Sequence, residues 1–212
     1  MLKATILLGT LKPKSGKEFS NTKVLSEILC DELAAHDVKS EIVHLAEYKI
    51  LPGTKTNMGK GDEWPNILEK LVKSDIIVFA TPIWWDGHSS LIQRVIERLD
   101  ELNDEIVATG KSEFLNKVGG MVITGGEDGA QHVIANLANF MVWNGLTLPP
   151  ACSLSYLGNH KAKTATGLKK ELLKQSYTVG MARTMARNLA YLAQLLKEHP
   201  LPVQEKKAQA FR

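Results

Sequence analysis

Apolar residues occur along this chain in two patterns. Short unbroken runs at 4–8, 76–80 and 118–124 read as strands buried on both faces, the middle one rich in β-branched and aromatic side chains (Ile76, Ile77, Val78, Phe79). Elsewhere apolar residues recur at helical spacing. Val24, Leu25, Ile28, Leu29 and Leu33 form one such face, and Ile67, Leu68, Leu71 and Val72 a second. Leu91, Ile92, Val95, Ile96 and Leu99 form a third, with Ser89 or Ser90 as N-cap, and Val133, Ile134, Leu137, Phe140 and Met141 a fourth. Weaker alternation over 40–45 predicts a second strand, and 146–154, broken by Pro149 and Pro150, is expected to hold the last. The polar stretch 100–116 reads as the tail of the preceding helix plus a connection. Residues 167–196 predict one long helix that Gly180 weakens without ending.

Strands and helices therefore alternate, which implies a parallel sheet with right-handed crossovers and helices on both faces. Five strands fit a three-layer α/β/α sandwich of order 2-1-3-4-5, whose ligands bind beyond the carboxyl ends of the strands, at the switch point between strands 1 and 3. The 212 residues suit one substantial core, expected over 1–199, with 200–212 as a frayed tail. No internal repeat or interdomain linker is visible.

Composition narrows the function. The net charge is +3 and no basic stripe carries interleaved aromatics, so nucleic acid is not an expected partner; Lys169-Lys170 and Lys206-Lys207 read as solvated surface. No apolar run is long enough to span a bilayer, and the first strand begins too early to leave room for a signal peptide. Two cysteines far apart, Cys30 and Cys152, suit a reducing compartment, expected to be the cytoplasm, and are too few for an iron–sulfur cluster or a structural zinc site.

Three loops at the ligand edge hold the candidate chemistry. Gly9 through Thr22 is rich in Gly, Ser, Thr and Lys and leads into a helix, an arrangement that suits a phosphate; an ordinary capped βα loop is the alternative. It is not a Walker A loop, since Gly9 and Gly16-Lys17 are two residues too far apart and Glu18 stands where Ser or Thr would meet magnesium. The second loop, Pro82-Ile83-Trp84-Trp85-Asp86-Gly87, follows the central strand; adjacent tryptophans in a Pro/Gly-rich loop favour a ligand wall over core packing. The third, Thr124-Gly125-Gly126-Glu127-Asp128-Gly129, lets backbone approach a ligand closely, with a turn role open for Glu127 and Asp128. A phosphate joined to a large flat ring would touch all three, and FMN has that shape. The long irregular stretch 47–61 suits covering a ligand, meeting a partner subunit, or a solvated insertion. Met141, Trp143 and Asn144 read as core or subunit contact.

These motifs resemble the flavodoxin-like NAD(P)H-dependent FMN reductases and quinone reductases. The resemblance rests on Gly9-Thr10-Leu11-Lys12 with Ser20-Asn21-Thr22, on Thr81-Pro82-Ile83-Trp84-Trp85, and on Thr124-Gly125-Gly126. Family members often show Gly-Ser-x-Arg in the first loop. Here Thr10 and Lys12 replace that serine and arginine, and residues 14–19 lengthen the loop; lysine keeps the charge and loses the bidentate fork. The resemblance implies that Thr10, Lys12, Ser20, Asn21 and Thr22 hold the FMN phosphate. It implies that Pro82, Ile83, Trp84, Trp85, Asp86 and Gly87 follow the flavin ring, with backbone N–H groups of the last three facing its edge. Thr124, Gly125, Gly126 and Asp128 would approach the pyrimidine side or the ribityl chain. His88 and His132 lie near two of these loops and are either proton relays or solvated residues.

The expected function is an FMN-dependent oxidoreductase that takes hydride from NAD(P)H and passes it to a quinone, a flavin or a similar small acceptor. A homodimer or homotetramer with the flavin near the subunit interface is expected by the same resemblance. Two other readings stand beside it: an FMN-binding electron carrier without efficient NAD(P)H turnover, and a module that has lost flavin.

Overall fold

The computed structural model describes residues 1–13, 15 and 18–202. Gly16-Lys17, Lys206-Lys207 and the tail beyond 202 lie outside the described residues. Five parallel strands form one sheet: β1 (Leu2–Leu8), β2 (Val38–His44), β3 (Ile76–Pro82), β4 (Val118–Gly125) and β5 (Ser153–Leu157). Their order is β2-β1-β3-β4-β5, as expected. The helices are α1 (Asn21–Ala34), α2 (Trp64–Val72), α3 (Ser90–Arg98), α4 (Asp100–Thr109), α5 (Ala130–Trp143), α6 (Ala165–Leu172) and α7 (Ser176–Glu198).

The strand pleat divides the core in two. Ile6 and Leu8 of β1, Val78 of β3 and Val122 of β4 face α1, α6 and α7. Leu7, Ile77, Phe79, Met121 and Ile123 face α2, α3 and α5. Both faces of the central strands are therefore apolar, which is why their sequences read as runs rather than alternations.

Three elements differ from the sequence-based expectations. The last strand starts at Ser153, after the prolines, which lack the N–H a ladder needs. The stretch before them makes only a bridge between Thr147 and Val118. The stretch 100–116 contains a separate helix, α4, which ends on left-handed Gly110 and buries no residue. The long C-terminal helix is two, α6 and α7, interrupted at 173–175.

The loop 48–63 is largely exposed to solvent and is fastened from beneath. Arg98, the last residue of α3, is fully buried and bonds both carboxylate oxygens of Asp62, at 3.0 and 2.6 Å. It also donates to the carbonyls of Leu51 (2.9 Å) and Lys55 (2.8 Å), and its guanidinium lies 5.8 Å from the Trp64 ring centre. Burial by itself would raise the Asp62 carboxyl. The Arg98 guanidinium and the N–H groups of Met58, Leu51 and Trp64 outweigh it and hold that carboxyl well below the usual carboxylate range.

Candidate functional site

The strand ends are aligned by hydrogen bonds that continue the ladder into the loops. Gly9 N–H donates to the Ala80 carbonyl (2.7 Å), Ile83 N–H to that of Thr124 (2.8 Å), and Gly158 N–H to that of Gly125 (2.9 Å). Gly9 is required by close packing: a Cβ there would lie 2.5 Å from Ile92 Cγ1 and 2.7 Å from Ser89 Oγ, at the start of α3. Four loops thus open at one edge around a cleft of about 280 Å³.

The first loop contributes Thr10, Leu11 and Lys12, and the start of α1 contributes Ser20, Asn21 and Thr22. Ser20 is the N-cap of α1, its hydroxyl accepting from Lys23 N–H at 3.2 Å, so cap and cleft wall are the same residue. Thr10 Oγ1 accepts from Lys12 N–H at 3.3 Å. The Lys12 ammonium donates to the Phe19 carbonyl (3.1 Å) and pairs with Glu18 (3.2 Å). From the third loop come Thr124, Gly125 and Gly126. The Thr22 and Thr124 hydroxyls meet at 2.7 Å, both buried, and tie the first loop to the third across the cleft floor. A Cβ on Gly125 would lie 2.8 Å from Ile83 Cδ1, so glycine keeps this wall thin.

The second loop divides. Pro82, Ile83 and Trp84 line the cleft; Trp85, Asp86 and Gly87 do not. Trp84 and Gly87 exchange backbone hydrogen bonds at 2.8 and 2.9 Å, closing a tight turn. Trp85 and Asp86 occupy its centre with φ of 47° and 66°. Two successive left-handed residues make a turn that normally takes Asn-Gly, and tryptophan there costs about 1–2 kcal/mol. The turn is held by Asp86 bonding His132 Nδ1 at 2.6 Å, and it leaves the Trp85 side chain 98% exposed. The Gly87 N–H, expected at the ring edge, is committed to the Trp84 carbonyl. His88 bonds the Gln93 side chain at 2.8 Å, and neither it nor His132 lines the cleft. Asp128 also lies outside the lining, and no residue of 47–61 enters it.

Sequence reasoning missed a fourth loop. Gly158, Asn159 and His160, directly after β5, complete the wall beside α1. The signal was present in Gly158-Asn159, and ending the last strand at Leu154 rather than Leu157 concealed it. His160 donates from Nδ1 to the Ala162 carbonyl (3.0 Å), and its Nε2 faces Asn21 Oδ1 at 3.1 Å.

Comparison with known proteins places the chain in a family. Residues 2–158 match the model of the NADPH-dependent FMN reductases. The chain belongs to that family. It is a flavodoxin-like flavin oxidoreductase, with FMN as cofactor and NAD(P)H as electron donor. It is 31% identical over 214 residues to the 8-demethyl-8-aminoriboflavin-5'-phosphate synthase of Streptomyces davaonensis, covering 94% of this chain and 80% of that one. It is 27% identical over 206 residues to the divalent metal cation transporter MntH of Mycobacterium bovis; there the match covers 92% of this chain and only 29% of the transporter's length. Among solved structures, RosB with bound 8-demethyl-8-formylriboflavin-5'-phosphate superposes with a TM-score of 0.76 at 27% identity, over 95% of this chain and 82% of that one.

The residues present fit FMN. The cleft offers hydroxyls, one ammonium and the free N–H groups of the α1 N-terminus at one end, and glycine backbone beside Ile83 and Trp84 at the other. A Cβ on Gly126 or Gly158, both in the cleft lining, would meet nothing within 4 Å. Among the described residues no helix is long and apolar enough to cross a membrane.

Proposed function

We propose that this cleft holds FMN with its phosphate at the N-terminus of α1, and that the enzyme passes hydride from NAD(P)H to a quinone, a flavin or a similar small acceptor. The observation that supports this reading best is the Thr22–Thr124 hydroxyl contact at 2.7 Å, which joins the polar first loop and the glycine-rich third loop into one continuous floor. Thr10, Lys12, Ser20, Asn21 and Thr22 would bind the phosphate. Pro82, Ile83, Trp84, Thr124, Gly125 and Gly126 would flank the ring. FMN, when bound, supplies the hydride chemistry, so the protein's part is to position it and exclude water from one ring face. Trp84, half-exposed at the mouth, is placed to bound the space that donor and acceptor share. Successive use of one space implies ping-pong kinetics.

Residues 1–199 are taken as one FMN-binding unit, working in the cytoplasm as a homodimer or homotetramer. Exposed Trp84, Trp85 and Tyr177 give apolar surface for such contacts, and the two cysteines are free thiols. Light scattering on the purified protein reads the assembly directly, and a monomer at micromolar concentration would contradict it.

The Streptomyces davaonensis relative favours a second reading, in which a flavin phosphate is a substrate that leaves changed. One experiment separates the two. The protein is loaded with FMN, desalted, and titrated anaerobically with NADPH and NADH; the flavin is then released and weighed by mass spectrometry. Retained bands that bleach, with flavin of unchanged mass, support the reductase. Flavin of altered mass supports the second reading. Retained bands that neither bleach nor change mass would overturn both and leave an electron carrier.

A further inference from the structure

We propose that Lys161 and Lys163 receive the phosphates of the nicotinamide donor, so that the donor's nucleotide tail leaves the cleft over the loop after β5. The inference rests on the reading that donor and acceptor share the space bounded by Trp84. That reading puts a nicotinamide ring inside the cleft and leaves a chain of phosphates to cross its rim. The rim is electrically lopsided. Just beyond the lining residues of the third loop stand Glu127 and Asp128, and beyond those of the second stands Asp86, all three exposed. Asp86 is paired with His132, whereas Glu127 and Asp128 have no partner among the described residues. The fourth loop has the opposite sign. Directly after His160, which lines the cleft, come Lys161 and Lys163, both exposed, and no carboxylate occurs from Gly158 to Lys170.

These two lysines differ from the cation in the cleft. The Lys12 ammonium is shared between Glu18 at 3.2 Å and the Phe19 carbonyl at 3.1 Å. Those of Lys161 and Lys163 have no partner among the described residues. Their segment is anchored at both ends. Gly158 N–H donates to the Gly125 carbonyl at 2.9 Å, and Thr164 caps α6, its hydroxyl accepting from Gly167 N–H at 3.0 Å. Between the lysines, Ala162 packs against the core. The loop therefore holds two uncommitted charges at the rim and brings no carboxylate to neutralise them. One exposed charge contributes little in water, but the donor's pyrophosphate is a multiple anion and the contributions add. The 2′-phosphate of NADPH adds about −1.5 to −2 further charge, so NADPH feels the lysines more than NADH does. Over the second or third loop the same tail would meet carboxylates, which repel it.

The test uses the full chain loaded with FMN and compares Lys161→Glu/Lys163→Glu with Lys3→Glu/Lys39→Glu. The second pair makes the same change in net charge at exposed positions near the amino ends of β1 and β2, opposite the cleft. In the rim variant KM is expected to rise about tenfold for NADPH and about threefold for NADH, with kcat within about twofold. Calorimetry should show NADP⁺ bound about tenfold more weakly and FMN within about twofold of the unsubstituted protein, the NADP⁺ difference shrinking as salt is added. Lys161→Arg/Lys163→Arg, which keeps both charges, is expected to retain the unsubstituted values. Unchanged KM and NADP⁺ affinity in the rim variant, or equal rises in the Lys3/Lys39 variant, would overturn the role of the two lysines. A loss of FMN affinity equal to that for NADP⁺ would also overturn it, by placing the lysines on the flavin phosphate. An unsubstituted protein that retains FMN and oxidises neither nucleotide would overturn the donor reading, and the role of the lysines with it.

Discussion

Two polar clusters in this molecule are buried to a similar degree and differ in what they leave uncommitted. Under the loop 48–63, the Arg98 and Asp62 side chains are both inaccessible, and each is fully engaged: Arg98 by Asp62, Leu51 and Lys55, Asp62 by Arg98 and three N–H groups. At the strand ends, Thr10, Thr22 and Thr124 are nearly as buried, with 3%, 1% and 4% exposure. Yet Thr22 and Thr124 have one direct contact between them, and the first N–H groups of α1 need partners from outside the helix. A closed set of partners holds a loop in place. An open set, with hydroxyl and N–H capacity still free, is what a phosphate and a flavin ring can complete.

The largest expected effect breaks the closed cluster. Asp62→Asn or Arg98→Met leaves its partner buried without a counter-charge and should cost about 3–5 kcal/mol, read by urea unfolding. The fraction that remains folded should bind FMN as before, because no residue of this loop lines the cleft. A related effect appears on acidification. The Asp62 carboxyl is held low in the folded state. Its contribution is therefore complete above the unfolded carboxylate pKa of about 4 and is lost as pH falls through the lower folded value. Unfolding midpoints measured from pH 5 downward should fall more steeply in the unsubstituted protein than in Asp62→Asn.

The next effect acts on the open cluster. Thr22→Val removes the hydroxyl that Thr124 contacts, and should weaken FMN binding about tenfold while costing only about 1–2 kcal/mol of stability. Comparing this variant with Asp62→Asn inverts the two readouts. The smallest effect concerns the exposed turn. Trp85→Asn puts a residue that tolerates φ near +50° where tryptophan stands at 47°, and should stabilise the fold by about 0.5–1 kcal/mol. If Trp85 serves the bound state, NAD(P)H turnover falls in the same variant, as steady-state rates would show.

Much of this was legible in the sequence, for a physical reason. Strands buried on both faces must be apolar throughout, so the runs at 76–80 and 118–124 announced the central strands, and the alternation of strands with helices gave their order. The shorter edge strand β5 has only one neighbour, carries Ser153 and Ser155, and gives no such run. The break at 173–175 contains no glycine or proline, and α6 and α7 both pack against α1 on the same face of the sheet, so neither local sequence nor apolar spacing marks it. In the site, three loops were placed by their strands, whereas the fourth was lost with β5. The outward turn at Trp85 was hidden because left-handed φ at tryptophan has no sequence signature. Arg98 did leave a trace: it sits three residues after Val95, on the apolar face of its helix, where a charge demands a buried partner.

The central claim is that the open cluster is the flavin site and the closed one is scaffold. Hydrogen exchange followed by mass spectrometry, with and without saturating FMN, tests it most directly. The account predicts slower exchange at 9–12, 20–22, 82–84, 124–126 and 158–160, with 48–63 unchanged. Protection across 48–63, with none at 20–22 or 124–126, would contradict it.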